Sequence, residues 1–289
     1  MVGLGIVGST RTIVNRKNGQ KVSGFEVNLL QDFQRALITG GSSGIGLAIV
    51  EALAAQDLET IILSNSREDL DREETRLRGL GRKVQGLYLE LDHKESVCGL
   101  WSRLEEQYGP IDLLVNNAGI GYHATLQESD LEKIRQVFEV NFFAPMALCQ
   151  QALGAMGGRK RGHIVNISSA SARRGLANMS GYASSKGALH VFTQTLRLEA
   201  AALGVRVSEV LPISVATPFF ARSETARGLG YRPKGVVQTP EHVAQAVLAC
   251  LRGNIPELCT HSPTAWGFVL DSLAPNWVAR ILGWWDRRS

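Results

Sequence analysis

The chain has 289 residues, of which 44% are hydrophobic and 20% charged, a composition typical of a globular protein with a sizeable core. Its net charge of +4 is not concentrated in a basic block, which argues against nucleic-acid binding. The four cysteines form no C-x-x-C pair and the six histidines show no ligand spacing. We therefore expect reduced thiols, a cytoplasmic location and no metal. We also expect neither a transmembrane helix nor a signal peptide.

Residues 1–33 lack the periodicity of the rest of the chain, and we predict an N-terminal appendage there, either disordered or a hairpin. The dinucleotide-binding pattern G-x-G-x-x-G begins at Gly3, but only two residues precede it. Such a loop needs a buried strand before it and a helix after it, so we interpret this match as chance. Asn18-Gly19 between two short apolar runs is a hairpin signal.

The stretch TGGSSGIG at residues 39–46 has the context that the first match lacks. The apolar run ALIT leads into it, and LAIVEALAAQ follows with helical spacing of its apolar residues. Gly40, Gly44 and Gly46 allow the backbone to turn tightly, to approach a phosphate and to pack the helix on the sheet. Because a helix N-terminus presents N–H groups and partial positive charge, this turn is predicted to bind phosphate.

Strands and helices alternate through residues 34–255. We predict further strands at residues 59–64, 84–91, 111–117, 163–169 and 205–212, and helices after a Ser66 cap and at residues 94–108, 129–157 and 181–204. This alternation predicts an α/β fold with a doubly wound parallel sheet flanked by helices.

Residues 256–289 are predicted to form a C-terminal extension of two short amphipathic helices. One apolar stripe starts at Trp266 and the other at Trp277, and arginines flank the second. Tryptophan with arginine suits peripheral contact with a membrane surface through residues 266–285. Packing on the body of the protein or on a partner subunit explains the same stripes.

Five motifs agree in order and spacing with the short-chain dehydrogenase/reductase family, which the chain resembles over about residues 34–255. They are TGGSSGIG, NNAG at residues 116–119, Asn141, Ser169, and the Y-x-x-x-K formed by Tyr182 and Lys186. The resemblance implies a Rossmann-like sheet of about seven strands, a nicotinamide cofactor and a small-molecule substrate. It also implies a homodimer or homotetramer that pairs the long helices, here about residues 141–157 and 181–204.

Tyr182 and Lys186 are spaced to share one helix face. A free tyrosine has a pKa near ~10, too high for acid–base work at neutral pH, and a nearby ammonium lowers it. The resemblance adds that Lys186 holds the nicotinamide ribose, that Ser169 orients the substrate and that Asn141 helps to hold a water in a proton relay. Ser168 is the alternative to Ser169, because consecutive strand residues face opposite ways.

Cofactor contacts are expected at the glycine-rich turn and at the ends of the following strands. The predicted residues are Gly40, Ser42, Ser43, Gly44, Ile45, Gly46, Ser64, Asn65, Arg67, Asp92, Asn117, Ala118, Gly119, Tyr182, Lys186 and Thr217. Asp92 matches the adenine contact of the family, although it could cap a helix instead. Ile213 replaces a glycine of the family, so the loop that carries Thr217 is expected to differ in shape if that position needs a positive φ.

NADP(H) is predicted in preference to NAD(H). An acidic residue at the end of the second strand would bond the ribose hydroxyls and repel a 2′-phosphate, but Ser64 occupies that place. Arg67 could reach the phosphate with charge-assisted bonds, or lie in solvent. Ser43 and Asn65 stand where the family carries its NADP-binding basic residues, so the preference is expected to be modest.

These residues together predict an oxidoreductase that interconverts a carbonyl and a secondary alcohol by hydride transfer. The alternative is a sensor or scaffold of the same fold that binds nucleotide without turnover. The complete set of Asn141, Ser169, Tyr182 and Lys186 argues against that alternative. Phe219-Phe220 favours an apolar substrate such as a 3-oxoacyl chain, a steroid-like ketone or another lipid, unless this pair only packs on the core.

Overall fold

The centre of the molecule is a seven-stranded, wholly parallel sheet. The computed structural model describes residues 13–14, 21–22, 33–225, 235–278 and 280. The strands are β1 Arg35–Thr39, β2 Glu59–Ser64, β3 Val84–Tyr88, β4 Leu113–Asn116, β5 His163–Ile167, β6 Arg206–Leu211 and β7 Glu257–Cys259. Their order across the sheet is β3-β2-β1-β4-β5-β6-β7, which confirms the predicted doubly wound α/β fold.

Helices connect the strands and cover both faces of the sheet. They are α1 Gly44–Ala54, α2 Arg67–Gly79, α3 Lys94–Val97, α4 Leu100–Tyr108, α5 Leu131–Phe138, α6 Ala144–Arg159, α7 Ser180–Ala201, α8 Phe219–Arg222, α9 Pro240–Gly253 and α10 Ser262–Leu273. Residues of α1, α2 and α9 form one core with one side of the sheet, and residues of α4, α6 and α7 form a second core with the other. Because strand residues alternate, Leu37 enters the second core and its neighbour Ile38 the first.

Two predicted helices are interrupted. The helix predicted at 94–108 is divided near Gly99, whose φ of 62° is left-handed. The helical region predicted at 129–157 contains a π-helical segment, Glu139–Phe143, between α5 and α6. Such a segment inserts an extra residue into the turn, and it is often found at functional sites.

Further strands are found before and after the predicted α/β region of residues 34–255. Strand β7 pairs with β6 beyond residue 255, so the sheet includes the first residues of the predicted C-terminal extension. Ile13–Val14 pairs antiparallel with Lys21–Val22, whereas the motif that begins at Gly3 and the turn at Asn18-Gly19 lie outside the described residues. No helix in the described part of the chain is both long and apolar enough to span a bilayer.

Candidate active site

A cavity of about 830 Å³ lies at the carboxyl ends of the central strands. Parallel α/β sheets bind their ligands at this edge, where the strand order reverses, here between β1 and β4. The glycine-rich turn, the residues after β4, β5 and β6, and the first turn of α7 all contribute to its lining. Of the predicted site residues, all except Gly46, Arg67 and Asn141 line this cavity.

The glycine-rich turn crosses the end of β2 and leads into α1. The N–H groups of Gly40 and Gly41 donate to Leu63 O at 2.8 and 3.2 Å, which fixes the turn on the sheet. Gly40 has a φ of +64°, and a Cβ on Gly46 would collide with the carbonyl oxygen of Gly40. Ser43, the residue before α1, makes no side-chain cap bond to the helix. The first N–H groups of α1 therefore face the cavity without a side-chain cap, as a phosphate site requires.

Asn117 ties the end of β4 to this turn. Its Nδ2 donates to Thr39 O and Gly40 O at 3.0 and 3.1 Å, and its N–H donates to Thr39 Oγ1 at 3.0 Å. The N–H of Ala118 donates to the same hydroxyl at 3.0 Å. These bonds hold the segment Asn117–Gly119 beside the glycine-rich turn, so the two predicted parts of a nucleotide site are one unit.

The end of β2 is lined with hydroxyl groups. The side-chain oxygens of Ser42 and Ser64 lie 2.6 Å apart, and Ser64 Oγ accepts from the N–H of Ser66 at 3.1 Å. Ser66 caps α2 as predicted, accepting from the N–H of Asp69 at 3.3 Å. The guanidinium of Arg67 lies 3.9 Å above the ring of Tyr88 and does not line the cavity.

Asp92 lies in the cavity wall beyond β3. His93, not Asp92, is the residue before α3, so the alternative role of Asp92 as a helix cap is not observed. Its Oδ2 accepts from Gln136 at 3.5 Å. Its Oδ1 is buried without a hydrogen-bond partner among the described residues, and His93 Nε2 lies 3.7 Å from it. A buried, unsatisfied acceptor in a cavity wall suits a ligand that carries an N–H donor, such as an adenine amino group.

Tyr182 and Lys186 meet the cavity from the first turns of α7. The ring of Tyr182 lies beside that of Phe219, with 5.7 Å between centroids. Lys186 is buried and its Nζ donates to Ile167 O at 3.0 Å. Burial lowers the pKa of Lys186 to about 8, against the charge of Glu209, which raises it. An ammonium so placed is charged at neutral pH and close to losing its proton.

The two serines after β5 differ in what their hydroxyls contact. Ser168 is buried and donates to Lys186 O at 3.3 Å, so it links β5 to α7. Ser169 Oγ accepts from both the N–H and the hydroxyl of Ser171, at 3.1 and 2.9 Å. Both residues line the cavity. The proton of Ser169 is not used in these bonds, so its hydroxyl is the better placed to donate to a ligand.

Asn141 is fully buried in the π-helical segment. Its Oδ1 accepts from the N–H of Ile120 at 2.9 Å, and its Nδ2 donates to Ile120 O and Ser185 Oγ at 3.0 and 3.1 Å. The side chain thus joins the segment after β4 to α7. It positions the cavity wall and does not itself line it.

The loop after β6 reaches the glycine-rich turn through Thr217, whose Oγ1 accepts from the N–H of Phe219 at 3.4 Å. A Cβ added to Gly44 would lie 3.0 Å from Thr217 Cγ2, which shows how closely the loop approaches the turn. Ile213 is not among the described non-glycine residues with positive φ. The loop therefore accommodates the β-branched residue without left-handed strain.

Three contributions to the site lie outside the predicted site residues. Glu209 is fully buried behind α7, and His190 Nδ1 lies 2.7 Å from its Oε2. Arg222 contacts Ser43 at the mouth of the cavity. Helix α10 also contributes to the lining, through Phe268 among other residues. A charged residue within the apolar run of β6 was a visible signal for Glu209, whereas the other two depend on tertiary contacts.

The predicted stripe on α10 faces away from this cavity. Trp266, Val269, Leu270 and Leu273 are 48% to 77% exposed, whereas Phe268 is buried. The helical segment after α10 exposes Trp277, and the residues from 281 onward lie outside the described part of the chain. The apolar spacing thus predicted a helix correctly but not which face packs on the protein.

Comparison with known proteins matches this architecture to one family. The family model described as short chain dehydrogenase matches residues 34–228. The chain is 31% identical over 258 residues to the ketoacyl reductase HetN of Nostoc sp. (strain PCC 7120), covering 86% of this chain and 88% of that protein.

Solved structures agree with the sequence relatives. A short-chain dehydrogenase from Sphingobium yanoikuyae in complex with NADPH superposes with a TM-score of 0.73 at 25% identity, covering 85% of this chain and 95% of that one. A variant of actinorhodin polyketide ketoreductase with NADPH superposes with a TM-score of 0.71 at 28% identity, covering 79% of this chain and 96% of that one. The chain therefore belongs to the short-chain dehydrogenase/reductase family and is an oxidoreductase.

Proposed function

We propose that the protein interconverts a carbonyl and a secondary alcohol on an apolar small molecule, with NADP(H) as its favoured cofactor. The observation that carries this proposal is that Tyr182 and the buried Lys186, one turn apart on α7, line one cavity with the glycine-rich turn. The cavity is large enough for a drug-sized ligand, since such sites occupy roughly 300–1,000 Å³.

The residues at the turn fit a dinucleotide. The N-terminus of α1 suits a pyrophosphate, the glycine at position 46 allows close packing there, and Asp92 Oδ1 offers an acceptor to an adenine amino group. A nicotinamide cofactor would supply or accept the hydride. Ser64 in place of an acid removes the repulsion of a 2′-phosphate and supports NADP(H) over NAD(H). Two similar structures were solved with NADPH, which supports the same preference.

In the proposed reaction, Tyr182 donates a proton to the carbonyl oxygen during reduction and accepts it during oxidation. The charge of Lys186 stabilises the phenolate and so lowers the pKa that Tyr182 would otherwise have. The family resemblance implies that Lys186 also bonds the nicotinamide ribose. Ser169 would donate to the substrate oxygen and hold it near Tyr182, and Asn141 would keep the intervening wall in place.

An apolar substrate is supported by the far end of the cavity. Phe219 and Phe220 from α8, Leu176 and Met179 before α7, and Phe268 from α10 line it. Relatives named as a ketoacyl reductase and a polyketide ketoreductase favour a 3-oxoacyl chain among the apolar ketones. The lining also includes Arg174, which donates to Asp271 at 2.8 Å and so gives this end a polar rim.

Two exposed apolar surfaces are proposed as contact surfaces. On α7, Val191 and Leu198 are 60% and 79% exposed, which supports a homodimer or homotetramer formed through the long helices. On α10, the stripe from Trp266 to Leu273 supports contact with a membrane surface or with a second copy. A cytoplasmic location remains the expectation from the cysteines.

Tyr182→Phe is expected to keep cofactor binding and to lower turnover by about a hundredfold or more, because the proton donor is lost while the shape of the cavity is kept. Turnover of a screened 3-oxoacyl or ketone substrate and NADPH fluorescence measure the two effects. Tyr108→Phe, on α4 outside the cavity lining, is the matched control and should behave as wild type. Near wild-type turnover by Tyr182→Phe would refute the proposed mechanism.

Glu209→Gln is expected to move the alkaline limb of the reduction rate to lower pH. Removal of this buried negative charge leaves burial to act alone on Lys186, so the pKa of Lys186 falls further below its usual value. The ammonium that supports Tyr182 is then lost at a lower pH. The measurement is the pH dependence of kcat, with Glu199→Gln on the exposed side of α7 as control. If the alkaline limb of the kcat profile stays at the wild-type pH in Glu209→Gln, the proposed effect of Glu209 on Lys186 is contradicted.

Light scattering tests the proposed interface on α7, and liposome co-sedimentation tests the proposed membrane contact of α10. Leu198→Glu on α7 should reduce the mass of the assembly, because a carboxylate in an apolar interface is costly to bury, whereas Leu270→Glu should not. If α10 and the following segment contact membranes, a 1–274 truncation should stay in the supernatant while full-length protein sediments with vesicles. A wild-type monomer at micromolar concentration would contradict the oligomer, and equal recovery of both forms would contradict the membrane contact.

A further inference from the structure

Arg222 stands at the mouth of the cavity on a different part of the chain from the predicted nucleotide residues. It ends α8, and its N–H donates to Pro218 O at 2.9 Å. Its Nη1 donates to Ser43 Oγ at 3.3 Å and its Nη2 to Asp69 Oδ2 at 3.1 Å. The guanidinium therefore lies between the start of α1 and the start of α2, in the region expected for the adenosine ribose.

The cations in the described lining are Arg174, Lys186 and Arg222. Arg174 is paired with Asp271 of α10, and Lys186 is buried with its Nζ bonded to Ile167 O. Arg67, the cation that the sequence favoured, lies on the ring of Tyr88 and outside the lining. Of the three cations in the described lining, Arg222 is thus the one that contacts the hydroxyl of Ser43 in the glycine-rich turn.

We propose that Arg222 binds the 2′-phosphate of NADP(H) and is the main determinant of the choice between NADP(H) and NAD(H). This inference rests on the proposed function. Ser43 stands where related proteins carry a basic side chain, and Arg222 brings a guanidinium to the hydroxyl of that same residue from the loop after β6. A guanidinium bonds a phosphate with two parallel, charge-assisted hydrogen bonds, which a serine cannot do.

Asp69 limits how strongly Arg222 can favour NADP(H) over NAD(H). Its carboxylate also bonds Arg72, at 2.8 Å, and its N–H donates to Ser66 Oγ in the α2 cap. Its pKa is lowered: burial raises it, but hydrogen bonds from Arg72, Arg222 and Ser66 outweigh that effect, so Asp69 is ionised at neutral pH. Arg222 can turn to a phosphate without leaving Asp69 unpaired, because Arg72 remains. The negative charge of Asp69 nevertheless repels the phosphate and keeps the preference modest.

The segment that carries Arg222 also contributes to the substrate end of the cavity. The four-residue helix α8 carries Phe219 against Tyr182 at one end and Arg222 at the other. The next residues, Glu224–Thr225, pair with Tyr122–His123 and fix the segment to the body of the protein. The guanidinium is therefore presented by an element held at both ends rather than by an unanchored loop.

Calorimetric titration with two matched fragments tests the proposal without turnover. The probes are 2′,5′-ADP and 5′-AMP, which differ by the 2′-phosphate. Wild type is expected to bind 2′,5′-ADP more tightly, and Arg222→Ala should lose about tenfold or more of that affinity while its affinity for 5′-AMP is unchanged. Arg222→Gln keeps a donor to Ser43 without the charge and should show a similar loss. Arg67→Ala is the matched control and should bind both probes as wild type does.

An equal loss for both probes, no loss in Arg222→Ala, or a loss in Arg67→Ala alone would each overturn the proposal. Titration of wild type with NADPH and NADH identifies which claim has failed. If neither dinucleotide binds, the proposed function fails together with this inference. If NADPH binds and Arg222→Ala keeps the wild-type ratio of NADPH to NADH affinity, this inference alone fails.

Discussion

The burial of Lys186 is the constraint on which the rest of the site depends. An ammonium in the protein interior costs several kcal/mol unless other groups compensate it. Here the carbonyl of Ile167 accepts a hydrogen bond from the ammonium, and the charge of Glu209 opposes the effect of burial on the pKa of Lys186. Because these partners belong to β5 and β6, the compensation fixes α7 against the sheet. Tyr182, one turn earlier on α7, is thereby held at the edge where the strands end.

The same edge collects the other functional groups for a reason that lies in the fold. Parallel strands all present their carboxyl ends to one side, so the segments that follow β1, β4, β5 and β6 converge there. Specific bonds then fix the segments to one another: Asn117 joins β4 to the glycine-rich turn, and Asn141 joins the next segment to α7. The cofactor end and the substrate end are thus parts of one hydrogen-bonded structure, and Arg222 extends it across the mouth of the cavity.

Local sequence signals predicted most of the fold and the polar centre of the site. The alternation of strand and helix gave the sheet, and the glycine-rich turn and the Tyr182–Lys186 spacing identified residues that the structure brings into one cavity. What the sequence could not predict depends on contacts between distant segments. Arg67 lies on Tyr88 while Arg222 contacts Ser43 in the glycine-rich turn, and α10 turns Phe268 inward while its apolar stripe stays exposed. The spacing of apolar residues identifies a helix, but it does not determine which face of the helix packs on a neighbour.

We expect the residues of this cavity to promote hydride transfer between a nicotinamide cofactor and a carbonyl carbon. Mass spectrometry with NADPH that carries two deuterium atoms at C4 detects this transfer, using a panel of 3-oxoacyl thioesters and apolar ketones as acceptors. Wild type should yield a product with one deuterium on the new carbinol carbon, and Tyr182→Phe should form that product at no more than about a hundredth of the wild-type rate. Oxidation of NADPH with no deuterium in the product, or tight NADPH binding with no acceptor reduced, would contradict it.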